Sequence, residues 1–361
     1  MILVIAFLVI GWNAGAQQRP APPPRVNADH SLTLFVDVDA RSVVLADEVF
    51  STAPPGLAFT KGPNGIWSLT TPPYEPGAHA MGVVIDGVPT GIEFGPTWAD
   101  RLPQGYYPFD LVEVRGEEPL PYDLRDVPHG AIHAHTIRSE QMKRQVGLYV
   151  YTPPGYEASN KRYPVLYLMH TSDNASYWTR YGYAHRIMDN LISDAVIQEM
   201  LVVMTESAGG LAADIGERYM LDEIIPFTER TYRVEATRGS RYIAGNSAGA
   251  MHARNIGFLH PEMFSAIGIM SGGGLNNAAA PLATTYPNLT NAAKFNEQIR
   301  LLYIAFGERD RTSPAANGQR LKDSLDQLGI RNDFRITTDG HSWFNWRRYL
   351  AEFLTGLGAI Q

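Results

Sequence analysis

Tyr242-Ile243-Ala244-Gly245-Asn246-Ser247-Ala248-Gly249 is an apolar run that ends in G-x-S-x-G, and a helical pattern follows it to Phe258. A strand that bends sharply into a helix tolerates only glycine two positions either side of the bend. Larger side chains there would strike the neighbouring strand or helix. Such a bend exposes Ser247 Oγ and aims the helix N-terminus at charge developing on a bound carbonyl oxygen. A Gly-Ser turn of no chemical consequence is the competing reading. The strand before it and the helix after it favour the reactive one.

The same alternation extends in both directions. Short buried strands are expected at 165–169, 201–204, 242–244, 266–270 and 301–306. Helices are expected over 184–195, 218–231, 248–258, 315–328 and 343–356, and a strand, turn and strand over 132–151. Continuous apolar strands separated by helices imply an α/β fold with a mostly parallel sheet covered on both faces. Ligands then sit outside the carboxyl ends of the strands. Residues 275–293, rich in Ala, Asn and Thr, fit a mobile insertion better than a core helix.

Serine is a weak nucleophile without a base. His341 is the only histidine after His260, and it lies in a loop between an expected strand at 334–338 and the last helix. That placement lets an imidazole reach the bend. His252 sits one turn along the helix after Ser247 and would point away, while His260 precedes Pro261 at a helix end. Asp310 follows the 301–306 strand directly and is the expected partner that orients the histidine tautomer. Its rivals are Glu308, two residues earlier in the same loop, and Asp339, which would have to fold back to reach His341. The Ala248 amide is one expected oxyanion donor. The amide of Thr171, after the 165–169 strand, is the other. His133 and His135 alternate along a strand but lack a carboxylate at metal-ligand spacing, and Gly272-Gly273-Gly274 lacks the lysine of a phosphate loop. No metal or organic cofactor is therefore called for.

At 361 residues the chain suits about two domains. Residues 28–115 carry short period-two runs separated by Gly- and Pro-rich turns, as in a β-sandwich, with a hairpin expected over 82–94 around Asp86-Gly87. Residues 120–361 form the α/β part. Residues 1–16 have an apolar stretch followed by small residues, the pattern of a secretory signal peptide, although no Lys or Arg precedes it. Residues 17–27 form a Pro-rich linker. Export, to the periplasm or outside the cell, is the expectation. A 45% hydrophobic and 19% charged composition excludes wholesale disorder. The net charge of −7 argues against a nucleic-acid partner, and no apolar run beyond the first dozen residues reaches membrane-span length. The absence of cysteine removes disulfides and thiol nucleophiles.

Pro128-His129-Gly130, Val150-Tyr151-Thr152-Pro153-Pro154-Gly155-Tyr156 and Tyr163-Pro164-Val165 run in that order ahead of the Ser247 bend. His260-Pro261-Glu262-Met263-Phe264, Ser271-Gly272 and Gly340-His341 with Trp343 and Trp346-Arg347 follow it. Over 120–356 this series resembles the esterase D-like α/β-hydrolases, in particular carbohydrate esterase family 1, the feruloyl and acetylxylan esterases. The resemblance implies a Ser247, Asp310, His341 triad and an ester substrate on plant cell-wall polysaccharide. It also implies that Trp178 and Trp343 contact substrate. A siderophore esterase and a carbohydrate-binding protein with an inactive hydrolase domain are the alternatives. Asn64-Gly65-Ile66-Trp67-Ser68 and Val83-Val84-Ile85-Asp86-Gly87-Val88 resemble a family 48 carbohydrate-binding module. Two departures stand out: Thr171 and Ala250 occupy positions where the family usually has glycine.

Overall fold

A computed structural model describes residues 22–47, 56–90, 110–170, 175–206 and 213–360. The signal peptide expected at 1–16, linker residues 17–21, the last part of the predicted hairpin (91–94) and Thr171 lie outside the described residues.

The N-terminal region is β-rich. Its strands are β1 (Arg25–Val26), β2 (Leu32–Asp37), β3 (Val43–Asp47), β4 (Leu57–Ala58), β5 (Thr60–Lys61), β6 (Ile66–Thr70), β7 (Gly77–Ile85), β8 (Val88–Thr90) and β9 (Asp110–Val114). They form two antiparallel sheets, ordered β1-β2-β6-β5 and β4-β3-β7-β8, with β9 paired to β7. The period-two pattern of β2 buries Leu32, Leu34 and Val36. These meet Val43, Leu45, Met81 and Val83 of the facing sheet in one apolar core. Trp67 and Tyr74 are buried in that core, and Trp67 Nε1 donates to Val38 O at 3.2 Å. Both are core residues.

The second region carries an eight-stranded sheet built from β10 (Ala131–Ser139), β11 (Arg144–Thr152), β12 (Val165–His170), β13 (Leu201–Glu206), β14 (Arg241–Asn246), β15 (Ala266–Met270), β16 (Leu301–Gly307) and β17 (Asp333–Thr337). The order is β10-β11-β13-β12-β14-β15-β16-β17. Pairing is parallel from β13 to β17, and β11 runs antiparallel to both neighbours. Every residue of β12, β13 and β14 is buried, as strands covered on both faces require. The helices are α1 (Tyr177–Arg180), α2 (Ala184–Ser193), α3 (Ala213–Arg218), α4 (Ile225–Thr231), α5 (Ala248–Leu259), α6 (Leu282–Thr285), α7 (Ala292–Gln298), α8 (Ala315–Gln327) and α9 (Trp343–Gly358). Two apolar clusters, one on each sheet face, make up its core.

Two expectations change. The helix expected from 218 includes a π-helical stretch, Tyr219–Ile224, between α3 and α4. Pro226 has no N–H for the carbonyl four residues back, and the bonding widens just before it: Ile225 N–H donates to Met220 O. Residues 275–293 are also not a loose insertion. Leu282, Tyr286 and Leu289 are buried against the core, and Asn288 Nδ2 donates to Phe258 O and Leu259 O at the end of α5.

Candidate active site

The bend at Ser247 joins β14 to α5. Ser247 adopts φ 53°, ψ −124°, a region L-residues rarely occupy and that costs on the order of 1–3 kcal/mol. The surroundings hold it there: Ser247 N–H donates to Met270 O at 3.0 Å, and Ala250 N–H donates to Ser247 O at 3.1 Å. The glycines are required by space. A Cβ on Gly245 would lie 2.4 Å from Gly249 C, and one on Gly249 would lie 2.5 Å from Met169 O. A third glycine, Gly272, is one whose demand the pentapeptide does not reveal. Its Cβ would fall 2.0 Å from Ser247 O, so the loop after β15 also closes on the bend.

His341 arrives from the β17–α9 loop. Its Nε2 lies 2.9 Å from Ser247 Oγ and its Nδ1 lies 2.8 Å from Asp310 Oδ2. Asp310 is 3% exposed, and its second oxygen accepts the Ser313 N–H at 2.6 Å. A buried carboxylate on Nδ1 fixes the tautomer that leaves Nε2 facing the hydroxyl. The structure therefore brings Ser247, His341 and Asp310 together. Glu308 is exposed, its backbone N–H on Thr337 O. Asp339 does fold back, but onto its own loop: it accepts from Gly340 N–H at 2.8 Å and from Ser342 Oγ at 2.9 Å.

That loop has further internal bonds. Asn345, fully buried, donates to Gly340 O at 2.9 Å and accepts from Thr337 Oγ1 at 2.9 Å. Thr337 Oγ1 also bonds Tyr349 OH, and burial pushes that phenol up from its ordinary pKa, keeping it neutral. Asn345 and Asp339 thus set the histidine's position without touching the serine. Their sequence signal was only proximity to His341.

Ala248 is the first residue of α5, beside Ser247, where a helix N-terminus favours negative charge. Two expected substrate contacts are corrected. Trp178 is fully buried and its indole N–H donates to Met169 O, while Trp343 is 3% exposed. They pack edge-on at 5.4 Å, and Trp343 stacks on His170 at 5.2 Å. Both lie in the apolar layer under the strand ends and act through packing. Trp346 stands edge-on to His341 at 4.9 Å and is the aromatic nearest the imidazole in this group. His252 is buried in α5, and His260 pairs with Glu217 at 2.9 Å. His133 and His135 bond Thr152 and Tyr232, at 3.0 and 2.5 Å.

A serine on a strained strand-to-helix bend, a histidine from the loop between β17 and α9 and a carboxylate from the loop after β16 define an α/β-hydrolase arrangement. The sequence profile of the Esterase family matches residues 139–357, and the chain belongs to that family, whose class is the carboxylic ester hydrolases. A curated relative from Xylanibacter ruminicola, named endo-1,4-beta-xylanase/feruloyl esterase, is 28% identical over 92% of this chain. The chain spans about half of that relative's length (46%). Among solved structures, a ferulic acid esterase from Anaeromyces mucronatus, in complex with ferulic acid, matches 67% of this chain and 97% of its own at 18% identity and a TM-score of 0.57. Enterochelin esterase from Shigella flexneri matches 96% of this chain and 98% of its own at 14% identity and a TM-score of 0.71.

Proposed function

We propose that the chain is an exported serine esterase that releases hydroxycinnamoyl groups, ferulate foremost, from plant cell-wall xylan. The observation that carries it is the Ser247–His341–Asp310 relay, with heavy-atom separations of 2.9 and 2.8 Å. Ser247 Oγ attacks the ester carbonyl while His341 Nε2 takes its proton. The Ala248 and Thr171 amides receive the oxyanion. The ester C–O bond breaks, and the departing alkoxide takes the proton back from His341. Water, activated by the same nitrogen, then frees the acid and Ser247. Asp310 stabilises the imidazolium in both halves. Every charge that develops is met by a side chain or an amide, so the steps call on no metal or cofactor.

The name of the Xylanibacter ruminicola relative supports the feruloyl reading. In this reading residues 28–115 form a carbohydrate-module-like domain of the family 48 kind, 120–361 form a carbohydrate esterase family 1 domain, and 1–16 form the export signal. Among the described residues, no helix is long and apolar enough to cross a membrane. A second reading, hydrolysis of a catecholate trilactone, draws on the likeness to enterochelin esterase, which extends over nearly the whole chain. Acetylated xylan is a third substrate for the same machinery.

The test is a panel of methyl hydroxycinnamates, feruloylated arabinoxylan, acetylated xylan and a catecholate trilactone with the purified chain and its Ser247→Ala variant. Ferulate release by the wild type alone is the expected result. Cleavage of the trilactone with none of the hydroxycinnamates would overturn the substrate. Undiminished hydrolysis by Ser247→Ala would overturn the mechanism.

A further inference from the structure

The loop that delivers His341 touches the N-terminal β-region. Phe344, three residues after the histidine and in the first turn of α9, is 7% exposed and lies flat against β7. Its ring stacks on His79 at 4.8 Å and 26°. It also covers Gly77 so closely that a Cβ there would fall 2.3 Å from the ring. His79, 4% exposed, is held in turn: its Nε2 bonds Glu75 O at 2.8 Å and its ring meets Tyr74 at 4.7 Å. The side chain of Glu75 accepts from Thr338 Oγ1 at 3.1 Å, on the other side of His341. A small cavity of about 150 Å³ between Tyr74, Glu75, Arg309, Thr338 and Asp339 shows that this seam borders both loops, the one bearing Asp310 and the one bearing His341.

We propose that residues 74–79 of the β-region are a brace that positions the catalytic base. Phe344 seated on Gly77 and His79 fixes the first turn of α9, and the Glu75–Thr338 bond fixes the end of β17. The His341 loop is strung between those two points, and Asn345 transmits the position of α9 to Gly340. Displacements of about 1 Å at a reacting group cost roughly 100-fold in rate, so a packing contact outside the substrate cleft can govern turnover. Phe344, His79 and Glu75 are positioning residues in this scheme. The β-region then serves the chemistry on every ester, small or polymeric, whether or not it also holds a glycan.

The inference rests on the proposed triad, so Ser247→Ala is the control: activity surviving in that variant overturns the triad and the brace together, whereas an inactive Ser247→Ala beside fully active brace variants overturns the brace alone. The measurement is kcat and KM on a p-nitrophenyl acyl ester, the rate of fluorophosphonate labelling, and the melting temperature, in the full chain. Phe344→Ala is expected to lower kcat about 10- to 100-fold with KM within about threefold, to slow labelling in parallel, and to be largely rescued by Phe344→Leu. Glu75→Ala should lose about two- to fivefold, and Glu75→Gln, which keeps the acceptor oxygen, should recover it. Full kcat on the small ester in folded Phe344→Ala, or a loss confined to polymeric substrate, would overturn the brace. If Phe344→Ala does not fold, the Glu75 pair decides: equal, wild-type rates in both would overturn it.

Discussion

The two halves of the site are built differently. The serine half is local. Gly245, Ser247 and Gly249 lie within five residues, and the clashes that dictate them involve the strand and helix they join, together with the end of β12. The histidine half is assembled from afar. Its base, its acid and the residues that hold the loop come from β16, β17, α9 and the N-terminal β-region, and the Thr338–Glu75 bond links residues 263 apart. A bend is specified by backbone sterics, most of which a pentapeptide can carry, with Gly272 adding its demand from the loop after β15. The placement of an imidazole is specified by tertiary packing, which it cannot. The serine bend and the carboxylate on His341 should therefore fail abruptly, and the residues that only hold the histidine's loop by degrees.

The sharpest break is Asp310→Asn. The amide reverses the hydrogen-bond preference at Nδ1 and favours the tautomer that cannot accept the serine proton. A drop in kcat of about 1,000- to 10,000-fold with the fold intact is expected, read by steady-state kinetics at neutral pH. Retention of most activity would return the acid role to Glu308 or Asp339. Next is Gly249→Ala, which drives a Cβ against Met169 O, and 3.1 Å from His170 N, between α5 and β12. Turnover should fall by about 100-fold or more and the melting temperature with it, since backbone on both sides has no room to yield.

Asn345→Ala tests the other half. It leaves Gly340 O without its donor and deprives Thr337 Oγ1 of an acceptor in a buried place, at a cost of about 1–3 kcal/mol in urea unfolding. Activity should fall only about tenfold. A loss as large as that of Asp310→Asn would erase the distinction between abrupt and graded failure. The smallest effect belongs to His185, which lies on α2 and is not a member of the relay. Burial depresses its pKa below the ordinary 6.5. Its neutral form is favoured in the fold, so its contribution is complete above pH 6.5 and is lost as pH falls below it. His185→Gln should flatten the fall of melting temperature between pH 7 and 5 relative to wild type; identical slopes would exclude this histidine.

How much of this the sequence showed follows the same division. Five parallel strands and the serine bend were legible because apolar runs and glycine spacing are local signals. The meeting of Asp310 and His341 was legible from chain order and strand ends. The burial of Trp178 and Trp343 was not, because an aromatic residue near a motif does not disclose whether it faces the cleft or the layer beneath. Residues 275–293 misled for a related reason: Leu282, Tyr286 and Leu289 are sparse in sequence, yet all are buried in the packed core. Phe344 on Gly77 was hidden altogether, since nothing in either segment announces the other.

The central claim is that the hydroxyl of Ser247 is the group that attacks. A fluorophosphonate probe incubated with the folded chain, followed by peptide mass spectrometry, tests it most directly. A single adduct on the peptide containing Ser247 is expected, absent after heat denaturation and strongly slowed in His341→Ala. A stable adduct on another serine, or active enzyme that carries no adduct at Ser247, would contradict it.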